Sequence, residues 1–292
     1  MVAPQTRPGA DPAPPSRAGR NLPLAIATGV GMGGAAVASL VVVKEAFVVL
    51  ALVAVLASVW ELADALSARR HLVPRVPLLA GTAVTLPVAY LAGLEALLAS
   101  VALTAAAVVL WRLLAPAREH GGDPTLALRD VTSGVLAVLW LPLLAGFAML
   151  MLREEDGAGR IFLFVLLAVA SDTGGYAAGV LFGRHPMAPT ISPKKSWEGL
   201  AGSGVLGLVA GVAGVVLVLG GSWWAGALVG LAAVTTATLG DLAESVLKRD
   251  LGIKDMGSLI PGHGGVMDRL DSLLLSAPVL WLLLGALVPP PA

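Results

Sequence analysis

The chain contains no cysteine. Disulfides and thiolate metal sites are therefore excluded, and nothing marks the redox compartment. Charge is scarce too. Asp, Glu, Lys and Arg make up 13% of the 292 residues, where a soluble domain carries about a quarter. The formal net charge is zero, which argues against a nucleic-acid partner. No HExxH, GxSxG or Walker A string occurs. What fills the chain is hydrophobic: 57% of its residues, with a mean hydropathy of +0.86. A membrane helix needs about 20 apolar residues, so the chain has room for many spans and for no sizeable soluble domain. The reading is an all-α, polytopic integral membrane protein.

The first 21 residues, "MVAPQTRPGADPAPPSRAGRN", are rich in Pro, Ala and Arg and cannot bury a core. They are expected to form a disordered cytoplasmic tail. The next apolar run is too long for a signal-peptide core and lacks a cleavage site, so it is taken as a span. Apolar runs fall at about 22–43, 46–60 (extending toward Leu66), 76–93, 96–114, 131–152, 161–182, 200–220, 223–245 and 270–288. About nine transmembrane helices follow. They divide into an N-terminal set over 22–160 and a C-terminal set over 161–292. With the N-terminus in the cytoplasm, sixteen of the nineteen Lys and Arg lie in inside segments. Only Lys44, Arg153 and Arg160 fall outside, which is the bias expected of a plasma-membrane protein with this orientation. "GVGMGG" (Gly29 to Gly34) matches GxGxxG, but no strand precedes it, so helix packing is the better reading. Gly207 and Gly211 form a GxxxG pair that lets helix backbones approach closely.

Three groups of charges stand against this background. Asp172, in "LLAVASDTGGYAAG", sits near the middle of the sixth span, where a carboxylate costs about 2.5–3.5 kcal/mol on insertion scales. It either hydrogen-bonds another helix or walls a polar pocket, with Tyr176 one turn on. In "PTISPKKSWEG", Lys194 and Lys195 make a compact positive site for phosphates, or simple positive-inside flanking. In "GDLAESVLKRD", Asp241, Glu244, Ser245 and Lys248 line one helix face. Asp268 and Asp271 share a face at the start of the ninth helix. Carboxylates from two helices at one depth suit Mg²⁺, which takes one or two carboxylates plus substrate phosphates. Asp268 alone could instead cap its helix. Arg249, Lys254 and Arg269 could bind anionic headgroups or offset the acids. His263, between two glycines, reads more readily as a loop hydrogen-bonder than as a ligand.

The string "SVLKRDLGIKDMGSLIPGHGGVMDRLD", Ser245 to Asp271, resembles the signature of the phosphatidate cytidylyltransferases, the CDP-diacylglycerol synthases. "SDTGGYAAG" and "ISPKKSWEG" resemble the same family, and the likeness is close from about 170 to 272. The resemblance implies that phosphatidic acid attacks the α-phosphate of CTP, giving CDP-diacylglycerol and pyrophosphate, with Mg²⁺ required. It leaves open a second metal or K⁺, and a homodimer. It makes Asp241 and Asp268 the expected metal ligands, with Asp271 in support. Asp241, Lys248 and Asp268 become catalytic candidates. Asp172, Lys194, Lys195, Lys248, Arg249, Lys254, Arg269 and, with least weight, His263 become candidates for binding CTP and phosphatidate. Two alternatives stand beside this reading: an ion transporter using Asp172, and another CTP-using lipid kinase or cytidylyltransferase.

Overall fold

A computed structural model describes residues 22–115, 124–260 and 264–288. The N-terminal 21 residues and His263, two of the sequence expectations, lie outside the described residues. Nine long helices account for almost all of the rest. They are α1 (Leu22–Val42), α2 (Lys44–Ala68), α3 (Arg75–Ala92) and α4 (Leu94–Leu114). The helix α5 runs through Pro124–Val138, a π-helical turn Leu139–Leu143, and Leu144–Arg153. There follow α6 (Gly157–Phe182), α7 (Trp197–Val218), α8 (Trp223–Asp250) and α9 (Met267–Leu287). Eight of them, α2 to α9, are long and apolar enough to cross a membrane. In lipid no water can satisfy an exposed peptide group, so a chain this apolar closes its hydrogen bonds within helices.

Breaks between helices occur where the backbone cannot continue. Gly93 adopts φ 86 and turns α3 directly into α4, a conformation that lacks a penalty only without a Cβ. Pro142 lies in the π-helical turn of α5. The missing N–H and the ring's bulk are absorbed there by one wider turn. Between α6 and α7 the chain makes a small antiparallel hairpin, β1 (Pro186–Ala188) with β2 (Ser192–Ser196). No strand was expected here from the sequence.

The last four helices pack through small residues. A Cβ on Gly211 would stand 2.4 Å from the carbonyl oxygen of Gly226 and 2.7 Å from the Cα of Gly230. A Cβ on Gly174 would stand 2.4 Å from the carbonyl oxygen of Gly202. These are backbone atoms that cannot move aside, so α6, α7 and α8 approach as closely as they do because side chains are absent. The "GVGMGG" glycines behave differently. They lie in α1, but a Cβ on Gly29, Gly31, Gly33 or Gly34 would meet nothing within 4 Å. The expected packing role finds no partner among the described residues.

Charges sort to the two ends of the bundle. At one end Lys44 Nζ donates to the Glu154 carbonyl at 3.3 Å. Near it, Arg160 donates to Asp156 Oδ1 at 2.6 Å and to the Val288 carbonyl at 2.6 Å. At the other end a buried Arg112–Asp130 pair at 2.9 Å ties α4 to α5, and Asp130 also accepts the Leu72 amide at 3.0 Å. The three cations assigned to the outside are therefore on the end opposite to Arg69, Arg112 and Arg249, as strict alternation requires.

Candidate active site

At that second end, α6, β2, α7, α8, the loop after α8 and the start of α9 enclose a cavity of about 430 Å³. Its acids are Asp172, Asp241, Asp255, Asp268 and Asp271, and its cations are Lys194, Lys195, Lys248 and Arg269. Tyr176 lines it as well. Nine charged residues from five separate segments thus converge on one hollow.

Local structure explains each placement. The β1–β2 hairpin carries Lys194 and Lys195 over the cavity. It is fastened to α7 by Glu198, which accepts from the His185 ring at 2.6 Å and from the Arg184 and His185 amides. Ser196 caps α7 by accepting the Gly199 amide at 3.1 Å. Arg249 secures the other side of the hairpin, donating to the Ile191 carbonyl at 3.2 Å. Arg249 is therefore a brace and, like the exposed Lys254, is not part of the cavity lining.

Lys195 forms an ion pair with Asp241. One turn on, Glu244 and Lys248 pair at 2.8 Å along the face of α8, the i,i+4 geometry anticipated for that string. Lys248 Nζ also reaches across to Asp268 Oδ1 on α9, at 2.8 Å. Gly240 permits this crossing, since a Cβ there would stand 2.4 Å from the Asp271 carbonyl oxygen. Asp172, Asp241 and Asp271 lie within electrostatic reach of one another.

Asp268 does not serve as a helix cap. Its helix begins after Val266, which has no side-chain cap bond. Asp268 Oδ2 instead accepts two loop amides, Met256 N at 3.0 Å and Gly265 N at 2.8 Å. Its carboxylate pins the loop after α8 onto α9. Asp172 makes no hydrogen bond to another helix among the described residues, and it faces the cavity. Of its two readings, the pocket wall is the one the geometry matches.

The donor set suits a hard cation. It consists of carboxylate oxygens, with no thiolate anywhere in the chain. Glu244 is fully buried, its Oε1 meets no donor, and the Asp271 carboxyl is within hydrogen-bonding reach of it. Two carboxyls in contact, one buried and one half-buried, need a proton or a metal ion between them. No group of three or more acids or histidines among the described residues already has metal-ligand geometry.

Two carboxylates were not anticipated: Asp255, which lines the cavity from the loop after α8, and Glu61, which lies behind that loop. Glu61, from α2, reaches the same loop and accepts the Met267 amide at 3.0 Å. An acid inside the apolar stretch "VWELADAL", which also holds Asp64, carries the same kind of insertion cost that singled out Asp172, so a signal was present. Its proximity to the helix end concealed it.

Residues 24–287 match the cytidylyltransferase family. A phosphatidate cytidylyltransferase of Mycobacterium leprae is 45% identical over 280 residues, covering 93% of this chain and 90% of that protein. One from Mycobacterium bovis is 43% identical over 278 residues, covering 93% and 91%. A more distant one, from Haemophilus influenzae, is 39% identical over 150 residues, about half of each chain. This chain belongs to the phosphatidate cytidylyltransferase family. The family match extends well beyond the stretch from 170 to 272 that carries the signature and takes in the N-terminal helices too. Membership in an enzyme family sets aside the transporter reading.

Proposed function

We propose that this cavity holds the triphosphate of CTP against the phosphate of phosphatidic acid and transfers the cytidylyl group between them. The chain is a phosphatidate cytidylyltransferase, an enzyme of phospholipid biosynthesis in a multi-span membrane protein. The observation that carries the reading is the convergence of four cations and five acids on one hollow at the end of an apolar bundle.

A phosphatidate oxygen forms a bond to the α-phosphorus of CTP, and the bond from that phosphorus to the β-bridging oxygen breaks. CDP-diacylglycerol and pyrophosphate are the products. Both reactants are anions, so the barrier lies in bringing like charges together and in aligning attacking and leaving oxygens. The nucleophile is already ionised and needs no general base. Lys194 and Lys195 approach from the hairpin and neutralise the nucleotide's phosphates. Lys195 exchanges its partner Asp241 for phosphate as it does so. Lys248, fixed between Glu244 and Asp268, holds the α8 and α9 acids in register. Arg269 adds charge at the rim. Mg²⁺ would be held by Asp241, Asp268 and Asp271 with Glu244 beside them, and when bound it supplies neutralisation of phosphate oxygens. The charged end faces the cytoplasm, where CTP is made; the sixteen-to-three cation bias supports this orientation. Reporter fusions at the C-terminus that are active only in the cytoplasm would reverse it.

The reading is tested by supplying CTP and phosphatidate to membranes carrying the chain and following pyrophosphate and CDP-lipid release. Failure of both to appear, with correctly inserted protein, sinks it. Replacing Lys194 and Lys195 together by Gln should act on CTP use. A lost charge-assisted contact costs about 1.5–3 kcal/mol, or roughly 10- to 150-fold in kcat/KM. Wild-type CTP kinetics in that double variant would leave the two lysines with only a role in topology.

A further inference from the structure

We infer that Glu61 is a positioning residue for the reaction: from the N-terminal half it sets the loop and first turn that carry Asp268 and Asp271. The inference deepens the catalytic reading above and rests on it.

Four observations converge. Glu61 lies on α2, far from the signature in sequence, yet its side chain is buried at 4% exposure. Its Oε2 accepts the amide of Met267, the first residue of α9, at 3.0 Å. Its carboxylate is wedged between two loop glycines. A Cβ on Gly257 would stand 2.2 Å from Oε1, and one on Gly265 would stand 2.5 Å from Oε2. Finally, Arg69, which directly follows α2, grips the other end of the loop, its Nε donating to the Leu251 carbonyl at 2.5 Å.

The chain of contacts leads straight to the acids. Gly265, which touches Glu61, gives its amide to Asp268 Oδ2, and Met256, beside Gly257, gives its amide to the same oxygen. Asp268 in turn holds Lys248, and Lys248 holds Glu244. A negative side chain at the N-terminus of α9 is also favoured by the helix dipole. Oε1 finds no hydrogen-bond donor among the described residues. A buried oxygen without a partner is retained at a cost. That cost is understandable if the shape and charge of the carboxylate fix the glycine loop.

The test uses the full chain in nanodiscs. Glu61→Ala should lower kcat by about 10- to 100-fold, the usual effect of removing a group that orients ligands, while KM for CTP moves little. Amide exchange at Met256, Gly265 and Met267 should quicken. Glu61→Gln keeps an acceptor for Met267 and should recover most of the turnover and the amide protection. Gly257→Ala displaces the same carboxylate and should show the same kcat-selective loss, so the inference remains testable if Glu61→Ala does not accumulate. The two changes should not add, because they break one contact. Unchanged amide exchange in Glu61→Ala would overturn the inference, whether or not the cavity turns over CTP. So would a lowered melting temperature with wild-type kcat per folded molecule, which is the mark of a structural brace.

Discussion

Lys248→Met is expected to abolish turnover and to destabilise the protein by about 3–5 kcal/mol, the usual penalty for removing one partner of a buried ion pair. The side chain is 14% exposed and its ammonium bridges Glu244 Oε2 and Asp268 Oδ1, each at 2.8 Å. Methionine preserves most of the volume, so the effect is one of charge and not of a cavity. Without the ammonium, Glu244 loses the only donor it has among the described residues, since its Oε1 already lacks one. Asp268 keeps its two loop amides, so the loop should stay attached while α8 and α9 repel. The double change Lys248→Met with Glu244→Gln removes the stranded charge. It should restore much of the melting temperature and none of the activity. A Lys248→Met protein that melts and turns over like the wild type would show that the bridge is incidental.

Asp271→Asn should separate catalysis from stability in the opposite direction. Turnover is expected to fall on the order of 10²- to 10³-fold, the scale of losing one electrostatic contact in a water-excluded site. The melting temperature should hold or rise. Asp271 Oδ1 accepts the Ser272 amide at 2.7 Å, a bond that Asn can keep. The new amide group then points toward the Glu244 carboxyl, offering a donor where two acids had met. A hydrogen bond of that kind contributes about 1 kcal/mol. If instead the variant keeps near-normal activity across a Mg²⁺ titration, Asp271 has no place among the metal ligands. A fall in stability alongside lost activity would mean that the carboxyl pair is a structural element. Asp268→Asn discriminates less sharply, because its carboxylate accepts three donors and an amide can satisfy only some of them. Loss of activity there would follow from displacement of the loop as readily as from loss of a ligand.

Much was legible in the residues themselves, and for a local reason. The length of an apolar run and the expense of a charge within it are properties of one segment, and lipid makes both severe. The nine helices were therefore expected with ends close to those observed, as was the singling out of Asp172, Asp241, Asp268 and Asp271. The i,i+4 relation of Glu244 and Lys248 is likewise a property of one helix. Partner choice is not local. It depends on which helices stand side by side, and that is decided by close backbone contacts such as Gly240 against Asp271 or Gly211 against Gly226. Only the tertiary structure could show that Lys195 is held by Asp241, and that Lys248 spans two helices. It also showed that Arg249 braces a hairpin instead of lining the cavity, and that Asp268 gathers loop amides instead of capping. The contact between Glu61 and the catalytic loop is the furthest case. Two segments some two hundred positions apart meet there because α2 lies across α9, and no periodicity within either segment encodes the other.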